Sequence, residues 1–320
     1  MKKIFVAVMA MAAFVACSNE EQIAAPKGQA IAFGDAFVDN ATKAIYEGGI
    51  VPNKFTVWGN VAGKGSSNIV ALYGDSGASV TGTGKMGLYT CNETRYWTPD
   101  CDYNFAAIVN GTAKTVVNGL PTLISYTAKG DNDLLYAAAA AETNASGVPS
   151  GTVATVSGET TPVVAFTFKH LLSRVAFKFT VHPDLYADYS YSVENIKIAG
   201  AFATGNCTPA GVWSDQDGEM TNALTFGNIA RPVATAGSVA AGAYVIIPGT
   251  PELTITFDAV CYLNGEAIKT YQYEKTVDTQ IFVANHAYTF VAELPLPGKE
   301  IKFTVVDVAG FEDGGNVNVQ

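Results

Sequence analysis

Apolar and polar positions alternate with a period of two through most of this chain, the pattern of half-buried β-strands and not of helices. The segment Phe55-Thr56-Val57-Trp58-Gly59-Asn60-Val61 sets Phe, Val and Gly against Thr, Trp and Asn. Val175, Phe177 and Phe179 alternate with Ala176 and Lys178, and Ile31 and Phe33 do the same within 30–37. Further strands are predicted over 103–109, 122–126, 193–198, 243–247, 253–257 and 287–291. Near the C-terminus, Ile301, Phe303 and Val305 share one face of a last strand. Segment 133–139 reads equally as strand or short helix, and 63–87, rich in Gly, Ser and Thr, reads as hairpins and loops. A Gly-, Ser-, Thr- and Pro-rich stretch over 144–162 reads as a linker, after which the strand pattern restarts at Val163. Many short strands between turn signals predict an all-β protein built of sandwiches, and two such groups predict two domains, 44–160 and 161–320.

Composition agrees: 31 glycines with abundant Tyr and Phe favour strands and turns, and charged residues make up only 15% of the chain. The N-terminus follows a different pattern. Lys2 and Lys3 precede an uncharged apolar run from Ile4 to Ala16, the arrangement of a secretory signal over 1–16. That run is shorter than the roughly twenty residues a membrane-spanning helix needs. It ends on Ala16-Cys17, followed by Ser18-Asn19-Glu20-Glu21-Gln22. This junction resembles a bacterial lipobox, which implies cleavage after Ala16 and lipidation of Cys17, although Phe14 stands where Leu is usual. The acidic pair after the cysteine resembles a surface-export signal. Residues 18–28 read as a polar tether. Loss of Lys2 and Lys3 with the leader would take the net charge from −10 to −12. A chain so acidic is repelled by phosphate backbones, which excludes nucleic acid as a partner.

Cys91, Cys101, Cys207 and Cys261 remain, and they allow three complete pairings. An exported protein can oxidise them, and Cys91 and Cys101 flank one short aromatic segment, so a local bridge between them and a set of buried thiols are both open readings. No CxxC pair or nearby histidine suggests a metal site. Gly74-Asp75-Ser76-Gly77 is similar to the nucleophile turn of a serine protease, yet Ala78-Ser79 follows and the first histidine is His170, so it reads as a hairpin tip. Gly82-Thr83-Gly84-Lys85-Met86 lacks the spaced glycine and the Ser/Thr of a phosphate loop. Asp215-Gln216-Asp217-Gly218-Glu219 lacks the twelfth-position Glu of a calcium loop and reads as a solvated turn. No catalytic constellation and no cofactor or metal site emerges. Tyr89, Tyr96, Trp97, Tyr103 and Phe105 cluster around Cys91 and Cys101; such aromatics fill a sandwich core or, when exposed, form a sugar platform.

Taken in order, several segments resemble the fimbrillin family, the type V pilins of Bacteroidales. They are the lipobox at Cys17, the strand at Ile31 and Phe33 with Ala41-Thr42-Lys43-Ala44, and Phe55-Thr56-Val57-Trp58-Gly59. Further on come Arg95-Tyr96-Trp97-Thr98-Pro99 leading to Tyr103-Asn104-Phe105, Asp133-Leu134-Leu135-Tyr136-Ala137, and Phe168-Lys169-His170-Leu171-Leu172-Ser173-Arg174-Val175. The resemblance implies two tandem transthyretin-like β-sandwich domains and a non-enzymatic structural role. It implies an outer-membrane lipoprotein precursor whose 17–43 segment, tether plus first strand, is removed by cleavage at Lys43. Many members have Arg at that position. Loss of the strand opens a groove that a strand of the next subunit fills, giving a cell-surface fimbrium. The donor candidate is Ile301, Phe303 and Val305, with an ordinary last strand of its own domain as the alternative reading of that segment. The partners implied are other pilin subunits, the outer membrane through the lipid before processing, and a ligand on host or bacterial surfaces. With no extra domain visible, a shaft subunit is the expectation over a tip or accessory pilin. The rival reading is a surface glycan-binding lipoprotein that uses the 89–105 aromatics.

Overall fold

The computed structural model of the protein describes residues 28–38, 52–82, 89–155, 162–249, 252–277 and 282–309. Among them every regular element is a β-strand. The first half contributes β1 (Ala32–Val38), β2 (Lys54–Gly63), β3 (Val70–Ala71), β4 (Ala78–Gly82), β5 (Tyr89–Cys91) and β6 (Cys101–Val109). Then follow β7 (Thr112–Val117), β8 (Leu120–Thr127), β9 (Leu135–Thr143), β10 (Pro149–Gly151), β11 (Val153–Thr155) and β12 (Pro162–His170). The second half opens with β13 (Ser173–Val181), β14 (Tyr189–Ala199), β15 (Phe202–Cys207), β16 (Trp213–Glu219), β17 (Leu224–Thr225) and β18 (Ser238–Val239). It closes with β19 (Tyr244–Ile246), β20 (Leu253–Leu263), β21 (Glu266–Val277), β22 (His286–Leu294) and β23 (Lys302–Ala309).

The N-terminal sheet runs β9-β6-β2-β4-β5-β1-β12 and closes on itself where β12 pairs with β9, with β3, β10 and β11 attached outside this ring. Closure leaves the seven ring strands without a free edge along the path. Inward side chains Phe33, Phe55, Phe105, Phe166 and Phe168 fill the interior, each at most 2% exposed. β9 carries five consecutive alanines, a helix-favouring run. It is a strand because pairing with β6 on one side and with β10 and β12 on the other fixes it, and alternate Ala137, Ala139 and Ala141 face the core.

The strands on either side of the domain break expected at 160–161, β11 and β12, both belong to this sheet. Residues 149–151 and 153–155, expected as linker, are β10 and β11, and β12 lies between β1, β9 and β11 with Phe166 and Phe168 fully buried. The chain crosses to the second half at Leu171-Leu172. That crossing is pinned by three hydrogen bonds: Leu171 N–H to Leu134 O (2.9 Å), Trp213 Nε1–H to Leu171 O (2.8 Å) and Asn285 N–H to Leu172 O (2.9 Å).

The second half packs a sheet β18-β13-β22-β23, with β19 also on β13, against a sheet β17-β14-β20-β21. Between them lie Phe177, Phe179, Ile255, Phe257 and Phe290, all 1% exposed or less. The predicted alternation of Val175, Phe177 and Phe179 is met in full. A fourth sheet, β16-β15-β8-β7, joins the halves: β8 of the first pairs with β15 of the second, from Ile124↔Cys207 to Thr127↔Thr204. Beneath it Trp58, Ile108, Tyr126, Leu172, Cys207 and Val245 form a third core that draws on both halves. The tip of the β7–β8 hairpin sits tightly on the first sheet. Gly119, at φ 74°, has Gly59 O where a Cβ would lie at 2.8 Å, so only glycine fits there. The all-β class holds, and the two halves share a sheet and a core.

Candidate functional site: the first and last strands

β1 is a strand because Ile31 and Phe33 alternate with small residues, and the ring receives both. Ile31 is 5% exposed and Phe33 fully buried. The ring of Phe33 stacks on Phe166 (6.0 Å between centroids) and meets the edge of Phe105 (5.9 Å). β1 runs parallel to β12, with Ala32↔Val163, Phe33↔Val164 and Gly34↔Ala165 in register, and a bulge follows before Ala36. On the other side Phe33 pairs with Tyr89, Ile31 N–H donates to Arg95 O (2.8 Å), and Trp97 N–H donates to Gln29 O (3.0 Å). β1 is therefore a closing stave held from both sides. Arg95, which sequence reading quoted only as part of a motif, fixes that second side. Its guanidinium donates to Leu72 O, pairs with Glu93 (2.7 Å) and lies over the Tyr73 ring (5.5 Å).

β23 sits differently. It pairs antiparallel with β22, Phe303 opposite Ala292 and Val305 opposite Phe290, and among the described residues nothing pairs with its outer side. The donor candidates thus lie within their own domain. Val305 is 5% exposed, Ile301 and Phe303 are half-buried, and Phe303 stacks between Tyr273 (5.7 Å) and Phe290 (5.8 Å). Burial pushes the Tyr273 phenol up to about 12. Lys302 and Glu293 form an exposed ion pair at 3.1 Å.

The aromatic cluster proposed as a sugar platform turns inward. Trp97, Tyr103 and Phe105 are 3% exposed or less; Trp97 meets the other two edge-to-face and they stack on each other, while Tyr96 alone among the cluster is exposed. Cys91 is half-buried on β5 and Cys101 buried at the start of β6, and both are thiols. Burial raises the Cys91 thiol. The Cys207 thiol, in the shared core, is pushed up to about 12 by burial. Gly74–Gly77 is a tight turn closed by Gly77 N–H to Gly74 O (2.8 Å). Asp215 accepts from Asn206 (2.8 Å) and faces Lys114 (3.7 Å). Among the described residues no three His, Cys, Asp or Glu side chains are placed to hold a metal ion, and no helix is long and apolar enough to cross a membrane. Ala16, Cys17 and Lys43 lie outside the described residues.

The fold is found in solved structures. A fimbrial protein of Bacteroides vulgatus superposes with a TM-score of 0.59 at 14% identity, covering 88% of this chain and 99% of that one. A candidate cell adhesion protein of Bacteroides ovatus gives 0.50 at 15% identity, covering 91% and 100%. At these identities the likeness speaks for the fold alone. No curated protein matches the sequence. The sequence profile described as fimbrillin-like matches residues 42–307. That span takes in most of both halves and the shared sheet, and the chain belongs to the fimbrillin-like family.

Proposed function

We propose that the protein is a non-enzymatic structural subunit of a cell-surface fimbrium, made as an outer-membrane lipoprotein precursor and assembled by strand exchange. In this reading Cys17 carries the lipid after cleavage at Ala16. A protease then cuts at Lys43 and detaches the segment that bears β1. Ile301, Phe303 and Val305 of another subunit fill the place left behind, building a shaft that supports adhesion.

The observation that carries the reading is the position of β1. It is the member of a closed ring that comes first in the chain and is followed by the Lys43 segment, and it is held by hydrogen bonds and by Ile31 and Phe33, with no covalent link other than the one a cut at Lys43 would sever. Its departure leaves two rows of unpaired backbone groups and two apolar sockets. Refilling those sockets stabilises a joint by about 1.5–3 kcal/mol for each large side chain buried, in addition to the hydrogen-bond ladder. The aromatics at 97–105 sit in the core, which removes the surface on which the glycan-binding rival depended.

The test is to express the full chain, cleave it at Lys43 and follow its size in SDS without heating. SDS-resistant ladders or filaments after cleavage, and monomer before it, are expected. A cleaved chain that stays monomeric at all concentrations and binds a polysaccharide gel would overturn the proposal.

A further inference from the structure

The triplet Ile-x-Phe occurs three times in the chain: Ile31-Ala32-Phe33, Ile255-Thr256-Phe257 and Ile301-Lys302-Phe303. The second lies in β20, paired along its length with β14 and β21, and is not available to leave. The other two lie at the start of β1 and at the start of β23. In both, the phenylalanine sits between aromatic rings: Phe33 against Phe166 and Phe105, Phe303 against Tyr273 and Phe290. We propose that β23 of a second copy enters the β1 position in one register, with Ile301 where Ile31 lies and Phe303 where Phe33 lies. This rests on the strand-exchange reading above and adds to it the direction, the alignment and the side chains that decide fit.

The register has definite consequences. Since β1 runs parallel to β12, the incoming strand runs parallel to β12 too. Phe303 then pairs with Val164, Lys302 with Val163 and Thr304 with Ala165. A shift by one residue would turn Lys302 and Thr304 into the sockets of an aromatic core and Phe303 out of it, because side chains alternate between faces. A shift by two would set Phe303 in the Ile31 position and leave the Phe105–Phe166 box to Val305, a smaller side chain. Lys302 takes the place of the half-buried Ala32, on the face turned away from the sockets. The slot therefore selects an aromatic side chain two residues after a branched aliphatic one, and the partner it fits is another copy of this chain.

Cross-linking tests the alignment. In a Cys91→Ser background, Ala165→Cys and Thr304→Cys together place two half-buried positions opposite one another, within disulfide reach across parallel strands. Ala165→Cys with Lys302→Cys, and Ala165→Cys with Val306→Cys, are the displaced controls. After cleavage at Lys43 and mild oxidation, the matched pair is expected to give a ladder of boiling-resistant multimers that collapses on reduction, with several-fold less ladder in either control. Polymers that form without a cross-link in the matched pair, or with a stronger one in a control, overturn the register and leave strand exchange standing. Failure of the cleaved unsubstituted chain to polymerise overturns strand exchange itself, and this inference with it.

Discussion

The same Ile-x-Phe triplet stands at the two ends of the described chain in two different settings. In β1 it is enclosed: strands on both sides, Phe33 fully buried, a ring that has no other closing member between β5 and β12. In β23 it is on an edge: one neighbour, Phe303 half-buried, an exposed ion pair beside it. Burial on two sides makes β1 costly to lose. β23 is held from one side, by the β22 ladder, by buried Val305 and by half-buried Ile301 and Phe303. Under the proposed strand exchange, the donor is the strand on the edge and the one replaced is the strand in the ring.

The comparison can be broken most sharply by truncating the two phenylalanines in the uncleaved chain. Phe33→Ala is expected to cost about 3–5 kcal/mol, as for a fully buried phenylalanine. Phe303→Ala is expected to cost about 1–3 kcal/mol, because less of its surface leaves water. Denaturant unfolding measures both, and equal or inverted costs would mean that the enclosed and edge settings do not differ.

A middle-sized effect concerns alkaline pH. Burial holds the Cys207 thiol and the Tyr273 phenol protonated up to about 12, and raises Tyr126 as well. The folded chain thus keeps protons that the unfolded chain releases from about pH 9 upward. Stability from these groups is complete below that range and declines as the pH climbs towards 12. Unfolding midpoints at pH 7, 9 and 11 should be flat and then fall. Because Tyr273 stacks on Phe303, Tyr273→Phe should flatten part of the fall; an unaltered profile would place the pH dependence away from the β23 edge.

The smallest expected effect sharpens the contrast. Lys302→Ala removes an exposed pair with Glu293, and such pairs contribute about 0–1 kcal/mol. Unfolding should barely register it; a loss well above 1 kcal/mol would show that the edge is clamped by charge.

Alternation along single strands was legible in the sequence. Ile31 and Phe33, and Val175 with Phe177 and Phe179, face inward as their period requires. The partner of each strand was not legible, because period two marks a buried face and is silent about which sheet receives it. Val164, Phe166 and Phe168 read as the opening of a second domain and instead complete the first. The alanines of β9 offered propensity without a large side chain to fix a face. Pairing of β8 with β15 links residues about eighty positions apart in sequence, and no local signal announces such a contact. The two strands singled out as the candidate site were found from sequence; the enclosure of one and the open edge of the other emerge only from the pairing.

The shared sheet also has a mechanical meaning. Pulling the halves apart would have to break the β8–β15 ladder, release the three hydrogen bonds at Leu171-Leu172 and wet the core around Trp58 and Val245 together. Two beads on a string yield one after the other and lengthen at low load. Among the described residues the halves are joined by a ladder, a pinned crossing and a common core at once, so they resist load together as one stiff body.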